Sequence, residues 1–174
     1  MSYCQYCNDL PKDNPYRIYH DTQYGIKPSS DDALFGRLIL EINQAGLSWN
    51  TIINKTDSIQ SAYFGFNIQK ISKLENEDID RLMKDAGTIR HRGKINAIVY
   101  NAKIIVEIQE KSGSFDQWLT LQSQNTLDDW LKVFKKNFKF VGKEIVNEFL
   151  LSTGYMPGVH DSDCPKSFNL KAEI

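Results

Sequence analysis

The placement of proline constrains this fold more than any other sequence feature. All five prolines lie toward the two ends of the chain, and none occurs between Pro28 and Pro157. Because proline breaks helix interiors and central strands, the long middle region is free to form helices. Only SAYFGF and FKFVG have strand-like composition there, and both are too short to build a sheet. The sequence therefore predicts an all-α fold.

Helix-start and helix-stop signals divide this middle region. Ser29 or Ser30, followed by two aspartates, predicts a helix that runs to about Ala45 and ends at Gly46. The longest apolar stripe predicts a helix from about Gly93 or Lys94 to Glu110. Further helices are predicted from Ser48, over ENEDIDRLMK, around Phe115–Leu119, after Thr126, and from Lys143 to about Thr153.

Length and composition limit the class of protein. A chain of 174 residues with 41% hydrophobic and 25% charged residues is typical of one globular domain, expected to span 1–174. No run is long enough for a membrane span, and the N-terminus lacks a secretion signal, so a cytoplasmic location is expected. A net charge of -1 excludes bulk electrostatic coating of nucleic acid but allows a local basic face.

Cysteine and histidine cluster at the two ends of the sequence. Cys4, Cys7 and His20 lie near the start, and His160 and Cys164 near the finish. A thiolate and an imidazole from each end suit a tetrahedral zinc ion that would clip the termini together. Burial of the thiols as small hydrophobic groups is the alternative. A redox C-x-x-C is disfavoured because no βαβ pattern surrounds it.

Glu41 interrupts an otherwise apolar helix face in LEINQAGLSW. A carboxylate that points inward is costly unless it meets a donor or a cation, so an ordinary cap or ion pair is one interpretation. The other is a pocket for a charged heteroaromatic base, in which the carboxylate neutralises the cation and flat aromatic faces stack on it. The candidate aromatic residues are Tyr16, Tyr19, Tyr24 and Trp49.

Two basic groups could bind phosphates. The first, in GTIRHRGKI, contains Arg90, Arg92 and Lys94 at the predicted start of the long helix. The second contains Lys139 and Lys143 on either side of a turn that ends at Gly142. A solvated basic face is the alternative for both, but a turn that exposes backbone amides between two helices suits a DNA backbone.

Several motifs in the same order resemble the DNA-3-methyladenine glycosylase I family of the helix-hairpin-helix superfamily. They are YRIYHDTQYG, LEINQAGLSW, DAGTIRHRGKINAI, FKFVG and the closing His-x-x-x-Cys. The resemblance covers nearly the whole chain. It implies a monofunctional enzyme of base-excision repair that flips 3-methyladenine out of alkylated double-stranded DNA and hydrolyses its N-glycosidic bond without strand cleavage. A monomer is expected.

The resemblance also implies roles for particular residues. Glu41 is the pocket carboxylate, Tyr16 and Trp49 stack on the base, and Leu47 fills the gap left by the flipped nucleotide. One structural zinc ion is implied, with the ligands Cys4, His20, His160 and Cys164. Cys7 then remains a spare thiol. Asp161 stands near the position of a superfamily catalytic aspartate, but support of the metal site or simple solvation is the favoured interpretation.

Two other functions compete with the glycosylase. A zinc-clipped DNA-binding module would use the same hairpin without catalysis, but would not need a carboxylate among aromatic residues. A redox or metal sensor would change its metal content or thiol state with conditions. The sequence departs from the family at Tyr6 and Tyr24, where tryptophan is usual, which leaves the breadth of substrates open.

Overall fold

The computed structural model describes residues 2–122 and 126–167. Helix dominates this part of the chain, and no strand occurs in it. The all-α prediction is therefore confirmed. The helices, in chain order, are α1 (Tyr3–Asn8), α2 (Pro15–Thr22), α3 (Asp31–Gln44), α4 (Trp49–Ile53), α5 (Thr56–Ala62), a 3-10 turn (Phe64–Phe66), α6 (Ile68–Ile71), α7 (Asn76–Lys84), α8 (Arg92–Ser112), α9 (Phe115–Gln122), α10 (Leu127–Asn137) and α11 (Lys143–Ser152).

Side-chain caps start the helices where the sequence predicts them. The Ser30 hydroxyl accepts a hydrogen bond from the Ala33 amide at the start of α3. Ser48 and Thr126 cap α4 and α10 in the same way. Each bond satisfies an amide that has no partner within its helix. The short helices α1, α2, α5 and α6 were not predicted, because tertiary contacts rather than a long apolar stripe stabilise them.

Helices α3 and α8 form the centre of the molecule. Leu38, Ile39 and Ile42 of α3 are fully buried, as are Ile98 and Ile105 of α8. Helix α3 packs against α4, α8 and α11, and α8 packs also against α6, α7 and α9. The C-terminal end of α3 is thereby fixed beside the start of α11, and residues of both helices line one pocket.

The turn between α10 and α11 is held on the long helix by a buried amide. Asn101 of α8 donates to the carbonyl of Lys139 at 3.0 Å and accepts from the amide of Lys139 at 2.8 Å. Phe140, at the tip, has a φ of 57° and is exposed. This paired contact fixes the turn despite its unusual backbone. Within the described residues, no helix is long and apolar enough to cross a membrane.

Candidate active site and metal centre

A pocket of about 440 Å³ opens where α3 ends, beside α2, α4 and α11. Its lining combines aromatic rings with acidic groups, which suits a flat ligand that carries positive charge. The lining residues are Tyr3, Tyr19, Tyr24, Glu41, Gln44, Ala45, Gly46, Leu47, Trp49, Glu144, Ile145 and Glu148. Five residues proposed from the sequence, namely Tyr19, Tyr24, Glu41, Leu47 and Trp49, are thus brought together here.

Glu41 is the most deeply placed acid of the pocket. Its side chain comes from the last turns of α3, and the residue is only 6% exposed. In the described part of the chain its carboxyl accepts no hydrogen bond and forms no ion pair, so the ordinary cap or ion pair considered for it is absent. Burial, together with the negative charge of Glu148, raises the pKa of Glu41 to about 8, and Arg37 opposes this increase. A cation entering the pocket would relieve the cost of ionising it.

Glu148 is a second pocket carboxyl that the sequence analysis did not identify. It extends from α11 into the pocket, and burial raises its pKa, while Tyr24 and Arg37 counter that increase. Its spacing of three residues from the buried Ile145 could have indicated an orientation partly toward the core. The sequence pattern instead indicated the apolar stripe that contains its neighbours Ile145 and Phe149.

Aromatic rings form part of the pocket wall. The rings of Tyr19 and Trp49 are tilted at a centroid distance of 4.8 Å. The Trp49 indole donates to the hydroxyl of Tyr3 at 3.3 Å, and Tyr3 in turn meets Tyr24 edge to face at 5.2 Å. Tyr3 is a further residue that the sequence analysis did not identify. These contacts fix the rings before any ligand binds, so a flat base would meet an ordered surface.

Tyr16 lies beside this wall rather than in the lining. Its hydroxyl donates to Asn50 at 3.0 Å, and its ring packs edge to face on Tyr6 at 5.6 Å. Because Asn50 follows Trp49 directly, Tyr16 adjoins the pocket through α4. Its stacking role stays a prediction.

Four metal-ligand side chains meet where the two ends of the described chain come together. One ligand atom from each of Cys4, His20, His160 and Cys164 lies within 4.8 Å of the others. The Cys4 Sγ is 3.5 Å from His160 Nδ1, and the Cys164 Sγ is 3.6 Å from His20 Nε2. Ligand bonds of about 2.0–2.3 Å in a tetrahedron give separations of roughly this size. The donor set therefore fits a zinc ion, with a thiolate and an imidazole from each end.

The second ring nitrogen of each histidine has an orienting partner. His20 Nδ1 lies 2.8 Å from the Asp21 carboxylate, and His160 Nε2 lies 3.0 Å from the carbonyl of Tyr24. Such outer contacts fix the tautomer and turn the free nitrogen toward a metal. The Tyr24 contact also links this cluster to the pocket, since Tyr24 is part of the lining.

Cys7 and Asp161 belong neither to the pocket lining nor to the four-residue cluster. Cys7 is buried, and its thiol faces the carbonyl of Tyr16 at 3.7 Å rather than the four ligands. Asp161 accepts a hydrogen bond from Ser2, and its amide faces the Cys4 sulfur. Asp161 is not among the pocket-lining residues. This position favours support of the metal cluster over catalysis.

Of the predicted DNA-contacting residues, Leu47 lines the pocket, and all except Lys94 are exposed. Leu47 is 41% exposed and directly follows Gly46. The φ of Gly46 is +77°, a backbone conformation that would be strained with any other residue at this position. Arg90 is exposed, and Arg92 pairs with Asp80. Exposed Gly142 caps α11, next to the exposed Lys143, and Lys139 lies over the ring of Tyr100 at 4.0 Å.

Lys94 is not available for the phosphate contact predicted for it. The residue is 4% exposed, and its ammonium donates to the carbonyls of Asn43 and Ala45 at 2.8 and 2.6 Å. These carbonyls lie at the C-terminal end of α3, which carries partial negative charge. The positive charge that the sequence analysis assigned to DNA is therefore used inside the protein, where it holds the turn that presents Leu47.

Comparisons with known proteins agree with this geometry. A family model described as methyladenine glycosylase matches residues 9–133. The chain belongs to the methyladenine glycosylase family. It is 34% identical over 167 residues to the DNA-3-methyladenine glycosylase 1 of Escherichia coli, covering 85% of this chain and 89% of that protein. The DNA-3-methyladenine glycosylase of Haemophilus influenzae is 32% identical over 91% of this chain and 96% of its own length.

A solved structure extends the family relationship to three dimensions. A crystallised variant of 3-methyladenine DNA glycosylase I in complex with 3-methyladenine superposes with a TM-score of 0.84 at 31% identity. The match covers 96% of this chain and 98% of that chain. The methyladenine glycosylase fold therefore extends beyond the segment matched by the family model, over nearly the whole chain.

Removing the charge of Lys94 should destabilise this member of the family. Lys94→Met keeps most of the apolar stem but leaves two buried carbonyls without a donor, at a cost of about 1–3 kcal/mol. Urea unfolding should show this loss, whereas Lys103→Met, at an exposed position of the same helix, should unfold like the wild type. Equal stability of both variants would show that the contacts of Lys94 are dispensable.

Stability should fall as pH rises because of Glu41. Its ordinary pKa of 4.5 applies to the unfolded chain and is raised to about 8 in the folded protein. Between these values the folded state binds more protons, so ionisation costs a few kcal/mol of stability as pH increases from about 5 to about 8. Glu41→Gln has no such group. Its advantage over the wild type in urea unfolding should grow over this range, and a constant difference would contradict the raised pKa.

Proposed function

We propose that this chain is a monofunctional DNA glycosylase that releases 3-methyladenine from alkylated double-stranded DNA. The observation that carries the proposal is Glu41, a buried carboxyl without a hydrogen-bond partner in the described residues, which faces an aromatic-lined pocket. The E. coli and H. influenzae relatives are named as glycosylases of this base, and the solved relative holds the base itself.

The chemistry of the substrate explains how such a pocket can act. Methylation at N3 makes the adenine of the nucleotide cationic, so the base leaves readily when the C1′–N9 bond breaks. Glu41 and the ring faces favour the cation over an unmodified adenine. As the bond breaks, its electron pair neutralises the base, and positive charge develops on the sugar. A carboxylate nearby stabilises that charge, water adds to C1′, and one proton is released.

The product of this reaction is an abasic site in an intact strand. Strand cleavage by a glycosylase requires an amine that attacks C1′ and forms a Schiff base. No lysine is among the described residues that line the pocket. This arrangement supports hydrolysis without a covalent intermediate.

The surface around the pocket suits a duplex from which one nucleotide has been flipped. Leu47, at the tip of its turn, would fill the gap in the base stack, in keeping with the apolar wedges of proteins that kink DNA. The turn between α10 and α11 would act as the hairpin of a helix-hairpin-helix motif, with the exposed N-terminus of α11 directed at a phosphate. Arg90, Arg92, Lys139 and Lys143 would supply the positive charge.

The four-ligand cluster is proposed to hold one structural zinc ion. Cys4 and His20 from the first part of the chain, and His160 and Cys164 from the last part, would close a tetrahedral site with no open position for substrate. The ion would supply cross-linking rather than catalysis. Residues 1–174 would act as a single domain and a monomer, because pocket, hairpin and cluster all belong to one chain.

A plasmid assay tests the proposed reaction. Supercoiled plasmid, methylated with a simple alkylating agent, should stay supercoiled after incubation with the protein and become nicked only after alkali, which breaks abasic sites. Unmethylated plasmid should be unaffected. Direct nicking by the purified protein would refute the monofunctional reaction, and absence of alkali-labile sites would refute the glycosylase.

A further inference from the structure

Three carboxyl side chains line the pocket, and the two that are not exposed come from different helices. Glu41 comes from α3 and Glu148 from α11, and the negative charge of Glu148 raises the pKa of Glu41. Glu148 is only half-buried, and Tyr24, another residue of the pocket lining, lowers its pKa against the effect of burial. Nothing in the proposed bond cleavage requires a second acid, since Glu41 alone supplies the buried carboxylate.

The buried guanidinium of Arg37, which lowers the pKa of both carboxyls, already makes hydrogen bonds to other groups. Arg37 donates to the hydroxyl of Tyr19 at 2.6 Å and to the carbonyl of Ser152 at 3.1 Å, and its guanidinium lies 4.8 Å from the centre of the Tyr19 ring. It forms no ion pair with either carboxyl among the described residues, and no arginine or lysine lines the pocket there. The pocket therefore holds more carboxyl groups than its one nearby cation in the described residues balances, and a cationic ligand would favour their ionised forms.

We propose that Glu148 is a specificity-determining residue that gives the flipped base a second anionic contact and selects bases with a fixed positive charge. The inference rests on the proposed function, because it concerns the same pocket. Tyr24 and Glu148 both line the pocket, while Glu41 lies deepest in it. Together the two acids favour a cationic purine over a neutral one of the same shape.

The negative charge of Glu148 acts on the charge of the substrate base, and this predicts whether it changes KM or kcat. The base is cationic in the substrate but neutral once released, so an interaction with its charge is strongest before bond cleavage. Such an interaction lowers KM without raising kcat. It also leaves the neutral product weakly held, which favours release.

A binding experiment isolates this selection from catalysis. The probes are 3,9-dimethyladeninium, a permanent cation that models the nucleotide base, and the neutral free base 3-methyladenine. Quenching of tryptophan fluorescence, to which Trp49 contributes, gives the two affinities. In Glu148→Gln the preference for the cation should fall about tenfold, the size of effect expected for one charge contact in a partly desolvated site.

Two further variants and a kinetic measurement complete the test. Glu110→Gln removes the same charge from an exposed position at the far end of α8 and should keep the wild-type preference, while Glu148→Asp should restore part of it. On methylated DNA, Glu148→Gln should raise KM about tenfold with kcat changed less than about twofold. Thermal unfolding checks that the variants are folded.

The outcomes separate the inference from the proposed function. An unchanged cation preference in a folded Glu148→Gln protein would overturn the inference while leaving base release by the wild type intact. A wild-type protein that releases no base from methylated DNA, yet loses its cation preference with Glu148→Gln, would overturn the proposed function and support charge selection at this residue.

Discussion

Glu41→Gln is expected to lower the rate of 3-methyladenine release by about 100-fold, the usual loss when one preorganised electrostatic group is removed from an active site. Glutamine has the same shape but cannot stabilise the charge that moves from the base to the sugar. Single-turnover assays on methylated DNA measure the rate without interference from product release.

Affinity for DNA with a ready-made abasic site provides the control for this variant. That ligand has no base in the pocket, so Glu41→Gln and the wild type should bind it within about twofold of each other. Glu110→Gln should match the wild type in both assays. Normal release by Glu41→Gln would exclude the proposed role of Glu41 in bond cleavage.

Loss of the four-ligand cluster should have the largest effect on stability. We expect about one zinc ion per chain by elemental analysis, and we expect His160→Ala to lose it. Because the site joins the two ends of the described chain, removal should cost about 3 kcal/mol or more, which is roughly 6–12 °C in Tm for a chain of this size. Release of the Tyr24 carbonyl from His160 should also reduce activity, since Tyr24 lines the pocket.

Cys7 offers the matched control for the metal site. Cys7→Ala removes a buried thiol that lies outside the cluster, so it should keep the zinc and lose less stability than Cys4→Ala. Retention of zinc in Cys4→Ala together with its loss in Cys7→Ala would reverse the ligand assignment. A metal content that varied with thiol oxidation in the wild type would favour the sensor function instead.

The sequence was informative about helices whose ends have chemical markers. Ser30, Ser48 and Thr126 satisfy free amides wherever they precede an apolar stripe, and this local chemistry does not depend on the rest of the fold. The short helices near the N-terminus lack such stripes. They are fixed by contacts to distant elements, which no local pattern records.

The sequence was less informative about where charge is placed. Lys94 is close in sequence to exposed basic residues, and the sequence therefore predicts that it contacts DNA. The fold instead brings its ammonium to the backbone carbonyls at the end of α3. Glu148 stands in a helix that packs on the core, and its inward direction depends on how α11 lies across α3. Glu41 could be identified from the sequence alone, because an acid within an apolar helix face is unusual. The Cys4 ligand was assigned through family resemblance, because C-x-x-C spacing alone does not separate it from Cys7.

Chromatography of the bases released from methylated DNA tests the central claim most directly. Methylated calf thymus or plasmid DNA contains more 7-methylguanine than 3-methyladenine, so both bases are available in one experiment. The wild-type protein should release free 3-methyladenine in a time-dependent manner and leave 7-methylguanine in the DNA, while Glu41→Gln should release little of either. Failure to release 3-methyladenine above the rate without protein would contradict the account.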